Sequence, residues 1–113
     1  MQQITQITNK PKQHLTLLLE NNETVDFKLY YSPRQQSWFY DFNYKEITQK
    51  GSRVVLTPNA LRQFKKIIPF GISFSANSLV EPFSITDFSS GRVTMYILNA
   101  SEVTQVEAEI FGQ

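Results

Sequence analysis

Hydrophobic and polar residues alternate along much of this chain with a period of two, which is the spacing of a β-strand with one buried face. In the first such stretch, Leu15, Leu17 and Leu19 share one side. Aromatic and β-branched residues are frequent in the later stretches, and turn-forming residues separate them. The pattern predicts strands over His14–Glu20, Thr24–Tyr31, Trp38–Tyr44, Arg53–Thr57, Ile72–Ala76 and Arg92–Leu98.

Two consecutive hairpins are expected to connect the first four of these strands. Because Asn tolerates positive φ, Glu20–Glu23 is predicted to form the first tight turn. Pro33 cannot donate a hydrogen bond to a sheet, and its polar neighbours have nothing to bury, so Ser32–Ser37 is predicted to be a loop. A turn around Gln49–Gly51 is expected to return the next strand onto Trp38–Ile47 as a second hairpin.

One short helix is predicted over Asn59–Ile67. Thr57 is a suitable N-cap, and Pro58 would occupy the first helical position, where its missing N–H costs nothing. Apolar residues recur at helical spacing and would form the stripe that packs on a sheet, namely Leu61, Phe64 and Ile68.

The remaining segments carry weaker signals. Pro82–Ser90 is predicted to be irregular, and Ser101–Gln113 to be either a last strand or a frayed tail. We expect a single β-rich domain over residues 1–113, with flexible ends at 1–12 and 101–113. The predicted fold is mainly β, either a small antiparallel β-sandwich or a partly closed barrel, with one short helix.

Composition excludes several kinds of chemistry. The chain has 113 residues, no cysteine and one histidine, so a thiol nucleophile, a zinc ribbon, an iron–sulfur cluster and a clustered imidazole site are all excluded. A chain of this length can bury one core without disulfides, and we expect one soluble domain. No apolar run approaches the length of a membrane span, and the N-terminus lacks the pattern of a secretory signal, so cytosolic synthesis is expected.

No catalytic arrangement is evident among the titratable residues. Asp26 and Asp41 fall on the polar faces of their strands, where carboxylates are ordinarily solvated. His14 has no Ser partner at a recognisable spacing. The four glycines stand apart, so they form no phosphate-binding loop. We therefore expect no enzymatic activity, no cofactor and no metal site.

The charge pattern disfavours a nucleic acid or a membrane as partner. The formal net charge of +1 creates no global field that would attract a polyanion or an anionic bilayer. Arg62, Lys65 and Lys66 form a small basic patch that could serve single-stranded nucleic acid. The alternative interpretation is that they are the solvated side of the predicted amphipathic helix.

Aromatic residues are predicted on both faces of the sheet. Phe39 falls opposite Trp38, and Tyr30 falls opposite Phe27. Either a second layer of the fold or a partner protein must cover these groups. Exposed Tyr, Phe and Arg are favoured at protein interfaces, so the strand-face argument selects as interface candidates Tyr30, Arg34, Phe39 and Arg62.

An ordered series of strand and turn motifs spans about residues 13 to 100. The motifs are Leu15–Leu19, Val25–Tyr31, Trp38–Phe42, the hairpin with Gly51, Val54–Leu56, Pro69–Ile72, Asp87–Phe88, Gly91–Val93 and Tyr96–Leu98. Their order resembles that of the baseplate plug proteins, a family of small tail proteins of contractile-tailed bacteriophages. The most distinctive part is Trp38 with Asp41 after a strand that ends in Tyr30-Tyr31.

The resemblance implies a structural, non-enzymatic part of a virion tail baseplate, present in the host cytoplasm before assembly. Its implied partners are other phage tail proteins, namely the hub, the tail tube or the tape measure, with self-association as a further option. The alternative hypothesis is a small β-barrel module that binds a ligand or single-stranded nucleic acid.

Overall fold

Two antiparallel sheets, a 3₁₀ turn and one α-helix make up the fold. The computed structural model describes residues 2–110 of the chain. The mainly β prediction is confirmed, because 44% of the chain is strand and 12% helix. The elements are β1 (Gln2–Gln3), β2 (Lys12–Leu18), β3 (Thr24–Ser32), β4 (Ser37–Tyr44), β5 (Ile47–Arg53), a 3₁₀ helix (Arg62–Phe64), β6 (Phe70–Ala76), β7 (Val93–Asn99) and α1 (Ala100–Ile110).

The four-stranded sheet is a meander in the order β2-β3-β4-β5. The predicted first turn is confirmed: Asn22 adopts a φ of 67°, a left-handed conformation that Asn tolerates. The alternating pattern places one set of side chains on a single buried face, which we call the inner face of this sheet. Its buried members are Leu15, Leu17, Val25, Phe27, Leu29, Trp38, Tyr40, Phe42 and Tyr44.

The three-stranded sheet, in the order β1-β7-β6, packs on that inner face. Aromatic rings join the two sheets: Tyr40 lies 5.8 Å from Phe74, and Phe70 lies 6.2 Å from Phe42 and 5.3 Å from Tyr44, between ring centroids. Such pairs add to the free energy that burial of their area contributes. The sandwich prediction is confirmed. Residues 2–110 form no closed barrel, because none of their strands in one sheet is hydrogen-bonded to a strand of the other.

The second hairpin differs from its prediction. The chain reverses at Lys45, with a φ of 53°, so the strand that pairs with β4 is Ile47–Arg53 rather than Arg53–Thr57. Gly51 does not make a turn. It lies in β5 beside a register shift opposite Tyr40 and Phe42, with a φ of 72°, and glycine adopts this conformation without strain.

The predicted helix over Asn59–Ile67 is reduced to the 3₁₀ helix Arg62–Phe64. The segment that precedes this 3₁₀ helix lies along the open edge of β6. Thr57 exchanges backbone hydrogen bonds with Phe74, and the Asn59 side-chain oxygen accepts from the amides of Leu61 and Ile72. These contacts protect an edge strand, and they draw Thr57 and Asn59 away from the helical path.

The C-terminal segment is a helix rather than the last strand that was one alternative. Asn99 and Glu102 form a capping box, in which each side chain accepts a hydrogen bond from the backbone amide of the other, at 2.8 and 3.0 Å. At the opposite terminus, β1 pairs with β7. Flexible ends at 1–12 and 101–113 remain a prediction, and the parts of it that concern residues 1 and 111–113 lie outside the described residues.

Helix α1 lies over the three-stranded sheet, on the face turned away from the four-stranded sheet. A Cβ built on Gly71 would lie 3.0 Å from a methyl group of Val103 in α1 and 2.7 Å from the Asn59 side-chain oxygen. The layers are therefore helix, three-stranded sheet and four-stranded sheet. Nothing in residues 2–110 forms a further layer on the far side of the four-stranded sheet, which we call the outer face.

Replacing Gly71 with Ala should lower the free energy of unfolding by about 1–3 kcal/mol, because the added methyl group collides with Asn59 and Val103 in a packed region. Urea denaturation followed by tryptophan fluorescence measures the change. Ser75→Ala is the matched control, since Ser75 is exposed on the same side of the same strand. Equal stability of the two variants would contradict the close packing of α1.

Candidate protein interface

A row of side chains crosses the outer face from one edge to the other. Lys12 is the register partner of Tyr30, Tyr30 of Phe39, and Phe39 of Arg53. The Tyr30 and Phe39 rings stack with centroids 6.0 Å apart and planes 20° from parallel. A half-buried aromatic pair thus lies at the centre of the row, between two exposed cations.

The position of Tyr30 is fixed by Asp41. The Tyr30 hydroxyl donates to Asp41 Oδ1 at 3.0 Å, and the backbone amide of Gly51 donates to the same oxygen at 2.8 Å. Burial, together with the hydrogen bond to Asp41, raises the pKa of the Tyr30 hydroxyl above its usual value. The ring is therefore held in place as a neutral donor, and Asp41 serves to orient it.

The rest of the outer face carries both signs of charge. His14 lies 3.7 Å from Asp26, and both side chains are largely exposed. Lys28 and Leu18 are also exposed on this face, and Leu18 retains 63% of its accessible surface. A mixed surface of this kind offers no continuous positive track for a nucleic acid backbone. It is compatible with a protein surface of matching shape.

The four predicted interface residues lie in three different parts of the structure. Tyr30 and Phe39 are in direct contact, and Arg34 is exposed in the turn between β3 and β4. Arg62 belongs to the 3₁₀ helix, where its Nε donates to Glu107 of α1 at 2.8 Å. The role of all four residues as interface contacts remains a prediction.

Glu107 anchors α1 to the 3₁₀ turn. Its carboxylate is buried and also accepts a hydrogen bond from Lys65 at 3.0 Å. Burial alone would raise the pKa of Glu107, but the hydrogen bonds from Lys65 and Arg62 outweigh it and hold the pKa below its usual value. Two of the three residues of the predicted basic patch are therefore used within the chain.

The segment between β6 and β7, predicted to be irregular, is organised by Asp87. This side chain is 3% exposed, and its Oδ2 accepts from the amides of Phe83 at 2.6 Å and Ser84 at 2.8 Å. Arg92 donates to both carboxylate oxygens, from Nε and Nη2, at 2.9 Å. Burial alone would raise the pKa of Asp87, but the hydrogen bonds from Arg92, Ser84 and Phe83 hold it below its usual value.

The same segment presents apolar side chains to solvent that the sequence analysis did not select. Leu79, Val80 and Phe83 remain 98%, 52% and 50% exposed. The available signal was a short apolar cluster between turn-forming residues, which is too short and aperiodic for a strand or helix. Large exposed apolar groups that lie close together are typical of interaction sites.

No group of three or more His, Asp or Glu side chains in residues 2–110 is arranged to hold a metal ion. No helix within the same residues combines the length and the apolar character that crossing a membrane requires.

Replacing Asp87 with Asn should lower the free energy of unfolding at pH 7 by about 3 kcal/mol, because Arg92 would lose its partner in a mostly buried position. The pKa of Asp87 is lowered by folding, so its carboxylate stabilises the folded state at neutral pH and loses that effect as the pH falls below about 4. The difference between wild type and variant should therefore shrink on acidification, as measured by urea denaturation at several pH values.

The control for this variant is Asp26→Asn, which changes an exposed carboxylate and should alter stability by less than about 1 kcal/mol. A difference between wild type and the Asp87 variant that stayed constant down to pH 2 would show that the charge of Asp87 is not what holds the segment.

Comparison with known families finds one family whose model covers most of the chain. The model of the family described as cyanophage baseplate Pam3 plug gp18 matches residues 1–101, which include both sheets and end at the start of α1. A search of curated proteins gave no match. The resemblance seen in the motif order is confirmed, and the matched region contains Tyr30, Arg34, Phe39 and Arg62. The chain therefore belongs to the family of cyanophage baseplate plug proteins.

Proposed function

We propose that this baseplate component is a structural, non-enzymatic part that is held in the tail by contacts between its outer face and neighbouring tail proteins. One observation carries the proposal: the stacked pair of Tyr30 and Phe39 lies on the two central strands of a sheet face that no other described element covers. Membership of the plug family supports a place in the tail baseplate. The hub, the end of the tail tube and the tape measure are the neighbours that we propose.

The aromatic pair is suited to a contact because it is ordered before the partner arrives. The hydrogen bond from Tyr30 to Asp41 and the stacking on Phe39 restrict both rings. Rings that are already fixed lose little conformational entropy on binding. Covering their exposed carbon would contribute about 25 cal/mol for each Å² removed from water. Aromatic residues surrounded by polar groups are the usual centres of binding energy at interfaces.

Polar residues around the pair would set the register of the contact. Lys12 and Arg53 lie at the two ends of the row, and Arg34 is exposed in the adjoining turn. Charges at the rim of an interface mainly affect orientation and the rate of association. Arg62 lies on the 3₁₀ helix and pairs with Glu107, so we place it at the edge of any contact surface rather than at its centre.

Replacing Phe39 with Asp should leave the isolated protein folded, with a loss of about 1–2 kcal/mol of stability, because this ring is half-buried and packs mainly on Tyr30. Incorporation into tails should fall at least tenfold, because the charge would be placed at the centre of the contact. The measurement is the amount of the variant in purified tails after complementation of a phage that lacks the chain, with thermal unfolding of the purified variant in parallel.

Two variants calibrate this experiment. Gln63→Asp adds the same charge at an exposed position on the 3₁₀ helix and should be incorporated normally. Phe42→Asp places the charge on the inner face of the same strand, where Phe42 is 1% exposed, and should prevent folding. Normal incorporation of the Phe39 variant, or unfolding as severe as that of the Phe42 variant, would contradict the proposed contact.

A further inference from the structure

One edge of the sandwich is both regular and open, and it belongs to β2. The other three sheet edges are short, covered or interrupted. In the described chain β1 supplies only Gln2–Gln3, and Thr57 covers β6 through two backbone hydrogen bonds with Phe74. In β5 the register shifts beside Gly51, and such irregularities hinder pairing with another strand. In contrast, β2 keeps an unbroken register with β3 over Lys12–Leu18.

The hydrogen bonds that flank β2 show which of its backbone groups are free. The Leu19 amide donates to the Glu23 carbonyl at 2.8 Å, and the Tyr31 amide donates to the Pro11 carbonyl at 2.7 Å. Since hydrogen-bonded pairs alternate along an antiparallel ladder, the odd-numbered residues of β2 bond to β3. The even-numbered residues direct their N–H and C=O groups to the open edge, and no backbone hydrogen bond from the rest of the described chain reaches them. They are Lys12, His14, Thr16 and Leu18, all exposed.

A second copy of β2, running antiparallel, fits this edge. When His14 of one copy faces Thr16 of the other, Lys12 faces Leu18 by the same register. Every free N–H and C=O of the even-numbered residues then has a partner across a two-fold axis. No like charges are opposed in this register. The alkyl stem of Lys12 also covers Leu18, which otherwise keeps 63% of its surface exposed.

The side-chain pattern of β2 is the one that a strand joining this edge needs. Such a strand continues the sheet, so its side chains alternate between the inner and the outer face. The side facing the inner layer must be apolar, because Leu15 and Leu17 are buried there. The outer side must be polar to remain in water. β2 meets both requirements, with its leucines at 15 and 17 inward and His14 and Thr16 outward.

We propose that β2 pairs with β2 of a second copy of this chain, so that the two four-stranded sheets form one continuous sheet across a two-fold axis. This inference goes beyond the proposed function and does not depend on it. Tyr30 and Phe39 of each copy stay uncovered in the pair, because they lie on β3 and β4 rather than at the joined edge. The dimer would therefore present two outer faces side by side.

Site-specific disulfides test the register, because the chain has no cysteine of its own. His14→Cys and Thr16→Cys are made as separate single variants and mixed before oxidation. The Cα atoms of a hydrogen-bonded antiparallel pair lie about 5.5 Å apart, which allows a disulfide. Like positions of the two copies are diagonal neighbours and lie farther apart, so the mixture should give about tenfold more covalent dimer than either variant alone.

The matched control uses the neighbouring strand. Lys28 and Asp26 are the register partners of His14 and Thr16, on the same face but one strand inward from the edge. A mixture of Lys28→Cys and Asp26→Cys should give no excess of covalent dimer over the single variants. Equal yields from the two mixtures, or no excess in the mixture of the β2 variants, would overturn the pairing.

A charge swap tests the same pairing without oxidation. Leu18→Lys places like charges opposite Lys12 at two symmetric sites, so the Kd of the dimer in analytical ultracentrifugation should rise about tenfold. Adding Lys12→Glu should restore the affinity, because opposite charges then face each other. The control is Leu79→Lys, at a residue that is 98% exposed in the segment between β6 and β7, and it should leave the Kd unchanged.

The outcomes of these experiments decide between occupants of the edge. Sedimentation of the unmodified chain as a monomer up to about 1 mM would overturn the inference. Equal weakening of the dimer by Leu18→Lys and Leu79→Lys would also overturn it. A photo-reactive amino acid at position 16 that linked, in assembled tails, only to another tail protein would assign the edge to that protein instead. Phe39→Asp should leave the dimer intact, so failure of this pairing is distinguishable from failure of the outer-face contact.

Discussion

The four-stranded sheet has two faces, and the described part of the chain covers only one of them. Successive side chains of a strand point to opposite sides, so every residue that packs on the three-stranded sheet leaves a neighbour directed away from it. In β4 this rule buries Trp38, Tyr40 and Phe42 and turns Phe39 outward. The core of the protein and its proposed contact surface are consequently two sides of the same strands.

Long-range hydrogen bonds hold the parts of the molecule that the sheets do not include. Asp87 and Arg92 fix the segment between β6 and β7, and the Trp38 indole donates to the Ser84 carbonyl at 2.9 Å, which ties that segment to the core. Glu107 performs a similar function for α1. Each acid is buried but well supplied with donors, so its charge is retained in the folded state. The exposed apolar cluster at residues 79–83 depends on the first of these networks for its arrangement.

Elements with strict alternation could be predicted from the sequence, because period two determines both the strand and its buried face. This holds for β2, β3, β4, β6 and β7, and for the aromatic pair of Tyr30 and Phe39.

The sequence-based prediction failed at residues whose type suits two different local structures. Gly51 is equally suited to a turn and to a bulge, and Asn59 to a helix start and to an edge contact. The capping signal of Asn99 and Glu102 was present in the sequence, and Val103, Val106 and Ile110 follow it at helical spacing, but these three apolar residues are few for a segment of this length. The arrangement of the exposed apolar side chains at residues 79–83 could not be predicted, because it depends on hydrogen bonds from Arg92 and Tyr31, which are distant from them in sequence.

Family membership and the uncovered sheet face together lead to the central claim, which is that a neighbouring tail protein covers the outer face. Electron cryo-microscopy of the assembled tail, at a resolution that shows side chains, measures this most directly. The account predicts that atoms of another tail protein lie in van der Waals contact with the rings of Tyr30 and Phe39. A reconstruction in which both rings face solvent, while the chain is held through other surfaces, would contradict it.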